Sequence, residues 1–200
     1  MLLAMQLWMR LSLGLFIVPQ LPSNFQRSPP LSCLKASSSP LTTSTGKVAN
    51  VAEWIQWTSD SLKLAHGISL FEVMNAEDWR EIDEHERFAV LSHGVQDDPI
   101  FCYSNVATRE TFGYSEDEFY SLASRYSAPP SERPRRQTVM DKKDDDIFWV
   151  IEKGIRQRKD QSLFEFQNVW LWNVYNPQGE RVGQSSVFDR RQIQNCESGG

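Results

Sequence analysis

The order of apolar and polar positions divides the chain into a helical opening, a middle of short elements and a β-rich end. In VAEWIQWTSDSLKLAHG, apolar residues at Val51, Trp54, Ile55, Leu62 and Ala65 recur at helical spacing, and Gly67 is placed to end the helix. The next stretch, ISLFEVMNAEDWREIDEHER, is less regular and mostly polar, anchored at Leu70, Phe71 and Trp79. FAVLSH and IFCYS are short, bulky runs that read as strands, with Gly94 and Pro99 punctuating the segment between them. GVQDDP then reads as a turn whose aspartates bond local backbone.

NVATRETFGYSEDEFYSLASRYS predicts two short helices. Asn105 can cap the first, and Gly113 can take the left-handed conformation that closes it. Ser115 and Glu118 form a capping box for the second, with Tyr114 and Phe119 at the staple positions. In SLFEFQNVWLWNVY the alternation puts Phe164, Phe166, Trp170, Trp172 and Val174 on one face. NPQGE has the composition of a hairpin loop, RVGQSSVFD returns as its partner strand, and GIRQRKD suits a polar edge strand. The pattern is that of an α+β domain, an antiparallel sheet with short helices on one face and a helix in front.

Charge adds a second division. Residues 1–52 contain no Asp or Glu and only Arg10, Arg27, Lys35 and Lys47, so all 26 acids fall on the rest of the chain, with the remaining 17 of 21 bases. A body this acidic repels phosphate backbones, which argues against nucleic acid as a partner. MLLAMQLWMRLSLGLFIV has the proportions of a signal-peptide core and is too short after Arg10 for a permanent anchor, so no membrane contact is expected of the mature form. The Ser-, Thr- and Pro-rich stretch behind it has the composition of a transit segment. A plastid is the expected destination, with the mitochondrion or the secretory pathway as alternatives and a mature N-terminus between Phe25 and Ala52. The expected organisation is a leader over 1–50, a helical extension over 51–87, a domain over 88–192 and a disordered tail over 193–200.

Candidate chemistry is sparse. Cys33, Cys102 and Cys196 show no ligand spacing, so a disulfide scaffold is excluded. His93 with Asp97 and Asp98 has the residue types of a metal site, and His93 with Cys102 those of a base and nucleophile. Yet His93 and the aspartates flank one turn, no second histidine supports them, and nothing supplies an oxyanion hole. The basic run Arg133–Arg136 can bind an anion, but such a run is more often a solvated face, and Asp144, Asp145 and Asp146 weaken the anion reading.

Five phrases in order carry a resemblance: LSHGVQDDPIFCYSN (91–105), SRYSA (124–128), GIR (154–156), WN (172–173) and GQSSVFDR (183–190). They resemble the MEKHLA family, a PAS-like group that occurs as free-standing microbial and algal proteins and at the C-terminus of plant class III homeodomain–leucine zipper factors. The resemblance spans roughly residues 50–192. Pro129-Pro130 and the pair Glu165 and Gln167 depart from the free-standing members, and there is no homeodomain or zipper, so the transcription-factor role does not transfer. What the resemblance implies is a sensory or regulatory half-barrel that binds a small molecule or a protein partner, without catalysis of its own.

No particular cofactor follows. The flavin-binding LOV class needs a cysteine in an Asn-Cys-Arg-Phe-Leu-Gln helix, which is absent, and His66, His85 and His93 all precede the helix where a haem ligand would sit. The expected ligand contacts are His93, Tyr103, Asn105, Trp172, Gln184 and Ser185, with Gly183 and Ser185 giving room beside Trp170 or Trp172. Two alternatives stand beside this reading: an enzyme using His93 with Asp97 or Asp98, and a purely structural dimerisation domain. For a dimer, Trp54 would face the sheet, against an outer face carrying Val169 and Leu171, and Trp57 would lie at a two-fold contact.

Overall fold

The computed structural model describes residues 46–141 and 147–196. The expected leader lies outside them except for its last five residues, as do the aspartates 144–146 and residues 197–200. Already at Val48 the chain is in the core, its N–H bonded to the Cys102 carbonyl at 2.9 Å, and the Asn50 side chain caps the first helix.

That helix, α1 (Val51–His66), ends where Gly67 turns left-handed at φ 83°. The irregular stretch behind it folds as two single-turn helices, α2 (Leu70–Met74) and α3 (Trp79–Asp83). Capping rather than periodicity creates them. Ser69 and Glu72 form a capping box, and Asp78 accepts from the Arg80 and Glu81 N–H groups. Strand β1 (Phe88–His93) and β2 (Phe101–Ser104) make the expected hairpin, closed by Gly94 N–H on the Ile100 carbonyl. Asp98 pairs with Arg125 instead of turning back on local backbone. Helices α4 (Val106–Phe112) and α5 (Glu116–Phe119) follow, with Asn105, Gly113 and the Ser115–Glu118 box in their expected roles. The Pro-rich, basic segment is helical too, as α6 (Arg133–Asp141), where the sequence offers only a basic run and assigns no element.

Strands β3 (Phe148–Gln157), β4 (Leu163–Tyr175) and β5 (Arg181–Asp189) complete an antiparallel sheet in the order β2-β1-β5-β4-β3. The expected disordered tail instead supplies β6 (Gln194–Asn195), which pairs with Phe164 and Glu165 of β4, and Cys196 adds a bond to the Leu163 carbonyl. These groups lie beyond the end of β5, where β4 would otherwise leave backbone unpaired.

The largest departure from the sequence pattern is inside β4. Asn168 has φ 53°, opposite Glu152 of β3, and the in–out alternation reverses there. Phe164, Phe166 and Val169 therefore point to one face and Trp170, Trp172 and Val174 to the other. A period-two count assumes extended backbone throughout, and one left-handed residue breaks it. The five aromatic and aliphatic residues do not share a face.

Two cores result. On one side α1 to α3 cover Trp172, Val174, Val90 and Val187. On the other, Phe112 and Phe119 of α4 and α5 pack with Leu91, Phe164, Phe166 and Phe188. Helix α1 thus packs on the face of Trp170, Trp172 and Val174, and Val169 and Leu171 look the other way. Trp54 is buried with its Nε1 donating to Ser92 Oγ at 3.1 Å, and Ser92 donates on to Ser185 Oγ at 2.9 Å. Trp57 is half-buried against the same core, 6.4 Å from the Trp54 ring, so one surface does accommodate both indoles. Gly183 makes the approach possible. A Cβ there would lie 2.9 Å from the Trp54 ring and 2.6 Å from the His93 carbonyl.

Asn105 joins these layers. Its Oδ1 accepts from the N–H of Val90 (3.0 Å) and of Thr108 (3.1 Å), while Nδ2 donates to the carbonyls of Ile82 (3.1 Å) and Phe88 (2.8 Å). Asn105→Asp keeps the cap but cannot donate, leaving two buried carbonyls facing a carboxylate. It should cost roughly 2–4 kcal/mol by urea unfolding, and an unchanged midpoint would show that the amide is dispensable.

His66 closes α1 stacked on Phe148 at 4.3 Å and edge-on to Trp170 at 4.7 Å, and burial lowers its pKa from the ordinary 6.5. The unfolded chain takes up this proton more readily, so stability is full above about 6.5 and falls as pH drops below it. His85, lowered chiefly by burial, acts in the same direction. His66→Phe should flatten part of the loss seen between neutral pH and about pH 5. A wild-type slope that persists in the variant would exclude His66 as its source.

Candidate functional site

The sheet face opposite α1 curves under α4, α5 and α6 to make a cup. Its interior holds a cavity of about 100 Å³ with mainly apolar walls, among them Leu91, Phe112, Ile151, Phe166 and Phe188. A second cavity of about 160 Å³ lies towards the β1–β2 turn, with Asp97, Asn173 and Arg181 on its walls. His93, Arg136 and Gln184 line both. Gly154 helps open the cup. A Cβ there would stand 2.9 Å from Phe166 Cζ, so only glycine lets that ring lie across β3.

The expected ligand contacts are divided by this geometry. His93 and Gln184 reach the cup. Tyr103, Trp172 and Ser185 are seated on the α1 side, each 1% exposed or less. Trp172 Nε1 donates to the Thr58 carbonyl of α1 at 3.0 Å, and Tyr103 Oη to Asp83 Oδ1 at 3.1 Å. Asn105 has its donors and acceptors committed to the junction described above. The reversal at Asn168 and the pairing of Ser185 with Trp172 and Ser92 explain the shift: these residues face the helix that covers the sheet, not the cup. Small residues do relieve crowding there, but for Trp54.

The candidate catalytic groups do not converge. Cys102 belongs to the core beneath α1, and burial raises its thiol to about 12, so thiolate is scarce at neutral pH. His93 faces the cup instead, with Nδ1 2.9 Å from the Gly94 carbonyl, which as an acceptor places the proton on Nδ1. Asp98 is engaged by Arg125. Among the described residues no three His, Cys, Asp or Glu side chains are grouped to hold a metal.

What the cup does contain is positive charge. Arg135, Arg136, Lys153 and Arg156 line the apolar cavity with Glu132 as the acid. Arg135 pairs with Glu132 at 3.7 Å and Lys153 with Glu165 at 3.6 Å. Arg136 donates to Ser124 Oγ at 2.8 Å, and Arg156 lies over the Phe166 ring at 4.5 Å while donating to the Ile155 carbonyl. Burial lowers the pKa of both guanidinium groups, in Arg156 to about 9 with added repulsion from Arg136, and in Arg136 with partial relief from Asp98. A guanidinium keeps its proton at neutral pH, so both stay charged. Sequence reasoning weighed Arg136 only as part of a basic run and passed over Arg156 within the GIR phrase. The signal lay in taking the two together, which needs α6 and β3 brought side by side.

Among solved structures, the PAS domain of a Colwellia psychrerythraea protein is similar at 14% identity and a TM-score of 0.44, covering 55% of this chain and 86% of that one. A Rhodobacter sphaeroides LOV protein is similar at 12% identity and a TM-score of 0.47, covering 60% and 66%. No curated protein matches the chain. The MEKHLA domain model matches residues 52–193, from α1 through β5 to the turn that follows it. With a PAS-like α+β architecture of antiparallel sheet and short helices beneath that match, this chain belongs to the MEKHLA domain family.

Proposed function

We propose that the protein is a sensory or regulatory module whose cup takes a small molecule and passes its occupancy on to a partner, with no catalysis of its own. The observation that carries this reading is the cavity between the sheet and α4 to α6, apolar on most walls and supplied with His93, Arg136 and Gln184. Concave, largely apolar sites with a few placed polar groups are the usual form of small-molecule sites. The hydrogen-bonded junction at Asn105 ties α3, β1 and α4, so a change in the cup has a mechanical route to the layer formed by α1 to α3. Trp57, half-buried in its own domain, no longer supplies the reason for a two-fold contact, and a homodimer is not part of the reading.

Ser185 and Ser186 separate cup from core on neighbouring positions. Ser186 lines the cup, whereas Ser185 is buried beneath α1. Ser186→Phe should fill the cavity and remove the bound mass seen by native mass spectrometry of protein isolated from its own host, with a small change in stability. Ser185→Leu should retain that mass and lose roughly 1–3 kcal/mol through overpacking. Wild type without a bound mass, together with a Ser186→Phe variant indistinguishable from it, would remove the ligand-binding reading.

We also propose that residues 1–45 deliver the chain to a plastid and are removed there. The core position of Val48 and the pairing of Lys47 with Glu116 support a cut ahead of Gly46. Sequencing of the mature N-terminus should find it between Phe25 and Gly46, and a reporter fused behind the leader that stays in the cytosol would refute the targeting.

A further inference from the structure

Arg136 and Arg156 stand differently from the other cations of the cup. Among the described residues neither has a carboxylate within ion-pairing distance, whereas Arg135 and Lys153 do. Both lie where burial disfavours their charge, and each repels the other. Both side chains are half-buried; an unpaired charge partly withdrawn from water is costly, and a guanidinium cannot relieve that cost by losing its proton. A second, independent group points into the same space. Gln184 is 3% exposed; its Nε2 makes a long bond of 3.4 Å to Asn173 Oδ1, and its buried Oε1 has no hydrogen-bond partner. A buried acceptor without a donor is uncommon and costs free energy until one arrives.

We propose that the cup is the site of a small carboxylate bearing a hydroxyl or N–H: its carboxylate bridges Arg136 and Arg156, and its donor satisfies Gln184 Oε1. The proposal rests on the reading that the cup holds a small molecule and names the class. Two guanidinium forks suit a planar carboxylate, which each can meet with paired N–H donors. Size agrees, because a cavity of about 100 Å³ admits only a few heavy atoms. Its apolar walls suit a short carbon chain between the two polar ends and disfavour a phosphate dianion, which would have to shed more water to enter. The basic run from Arg133 therefore separates by position. Arg135 pairs with Glu132 at the rim of the cup, while Arg136, one residue on, has no such partner among the described residues.

The test is calorimetric titration of the full chain with lactate, propionate, lactamide and inorganic phosphate. Lactate should bind, propionate at least tenfold more weakly for want of a donor, and lactamide and phosphate not measurably. Arg136→Gln and Arg156→Gln should each weaken lactate at least tenfold at a melting temperature no lower than that of wild type. Gln184→Leu should bring lactate down to propionate. Equal binding of phosphate and lactate, or arginine variants that bind like wild type, would overturn the carboxylate assignment. A neutral or cationic molecule retained from the host would overturn it as well, and would leave the sensory reading intact. An empty cup with an inert Ser186→Phe variant would remove both.

Discussion

A sheet that is apolar on both faces has to be covered twice, and the close approach of α1 to β5 at Gly183 is what makes the second cover possible. Trp54 lies against the strand where any Cβ would intrude, and its indole N–H donates to the buried Ser92 hydroxyl, which in turn donates to Ser185. Fully burying an aliphatic or aromatic side chain is worth about 1.5–3 kcal/mol, so Trp54, Ile55 and Leu62 together outweigh the marginal stability of a lone 16-residue helix. With α1 holding that face, the opposite face is free to curve under α4 to α6. The division of labour between scaffold and site follows from this one contact.

The reversal at Asn168 serves the same division. Without it, the long strand would direct Phe164 and Phe166 towards α1 along with the tryptophans, and the cup would lose the rings that form its floor. The half of β4 beside β6 thus turns Phe164 and Phe166 towards the cup, and the half beside β5 turns Trp170, Trp172 and Val174 towards α1. Across the first half, Lys153 of β3 and Glu165 of β4 form a cross-strand ion pair.

Positive charge in the cup contrasts with the acidic body around it. Acids dominate the chain, yet two half-buried guanidinium groups share a largely apolar recess, where their charge is screened less than at the open surface. Selectivity would come from that contrast: anions are repelled by the exterior in general and stabilised at one interior position.

Sequence alone determined the local elements that are set by near neighbours. The caps at Asn105, Gly113 and Ser115 with Glu118, the β1–β2 hairpin, the NPQGE turn and the span of β5 all rest on contacts within a few residues, and each stands where the pattern put it. The family resemblance was legible for the same reason, since its phrases mark those turns and caps. Tertiary structure decided what lies on which side. Asparagine tolerates a left-handed backbone, but the apolar alternation around Asn168 does not show that this one adopts it, so the alternation alone puts the residues of β4 on the wrong faces, and with them Tyr103, Trp172 and Ser185. The helix α6 and strand β6 also needed partners distant in sequence. Arg136 and Arg156 share a recess only because the chain fold brings α6 to β3, where Arg135 donates to the Lys153 carbonyl, and charge withdrawn from water is a property of that arrangement rather than of either residue.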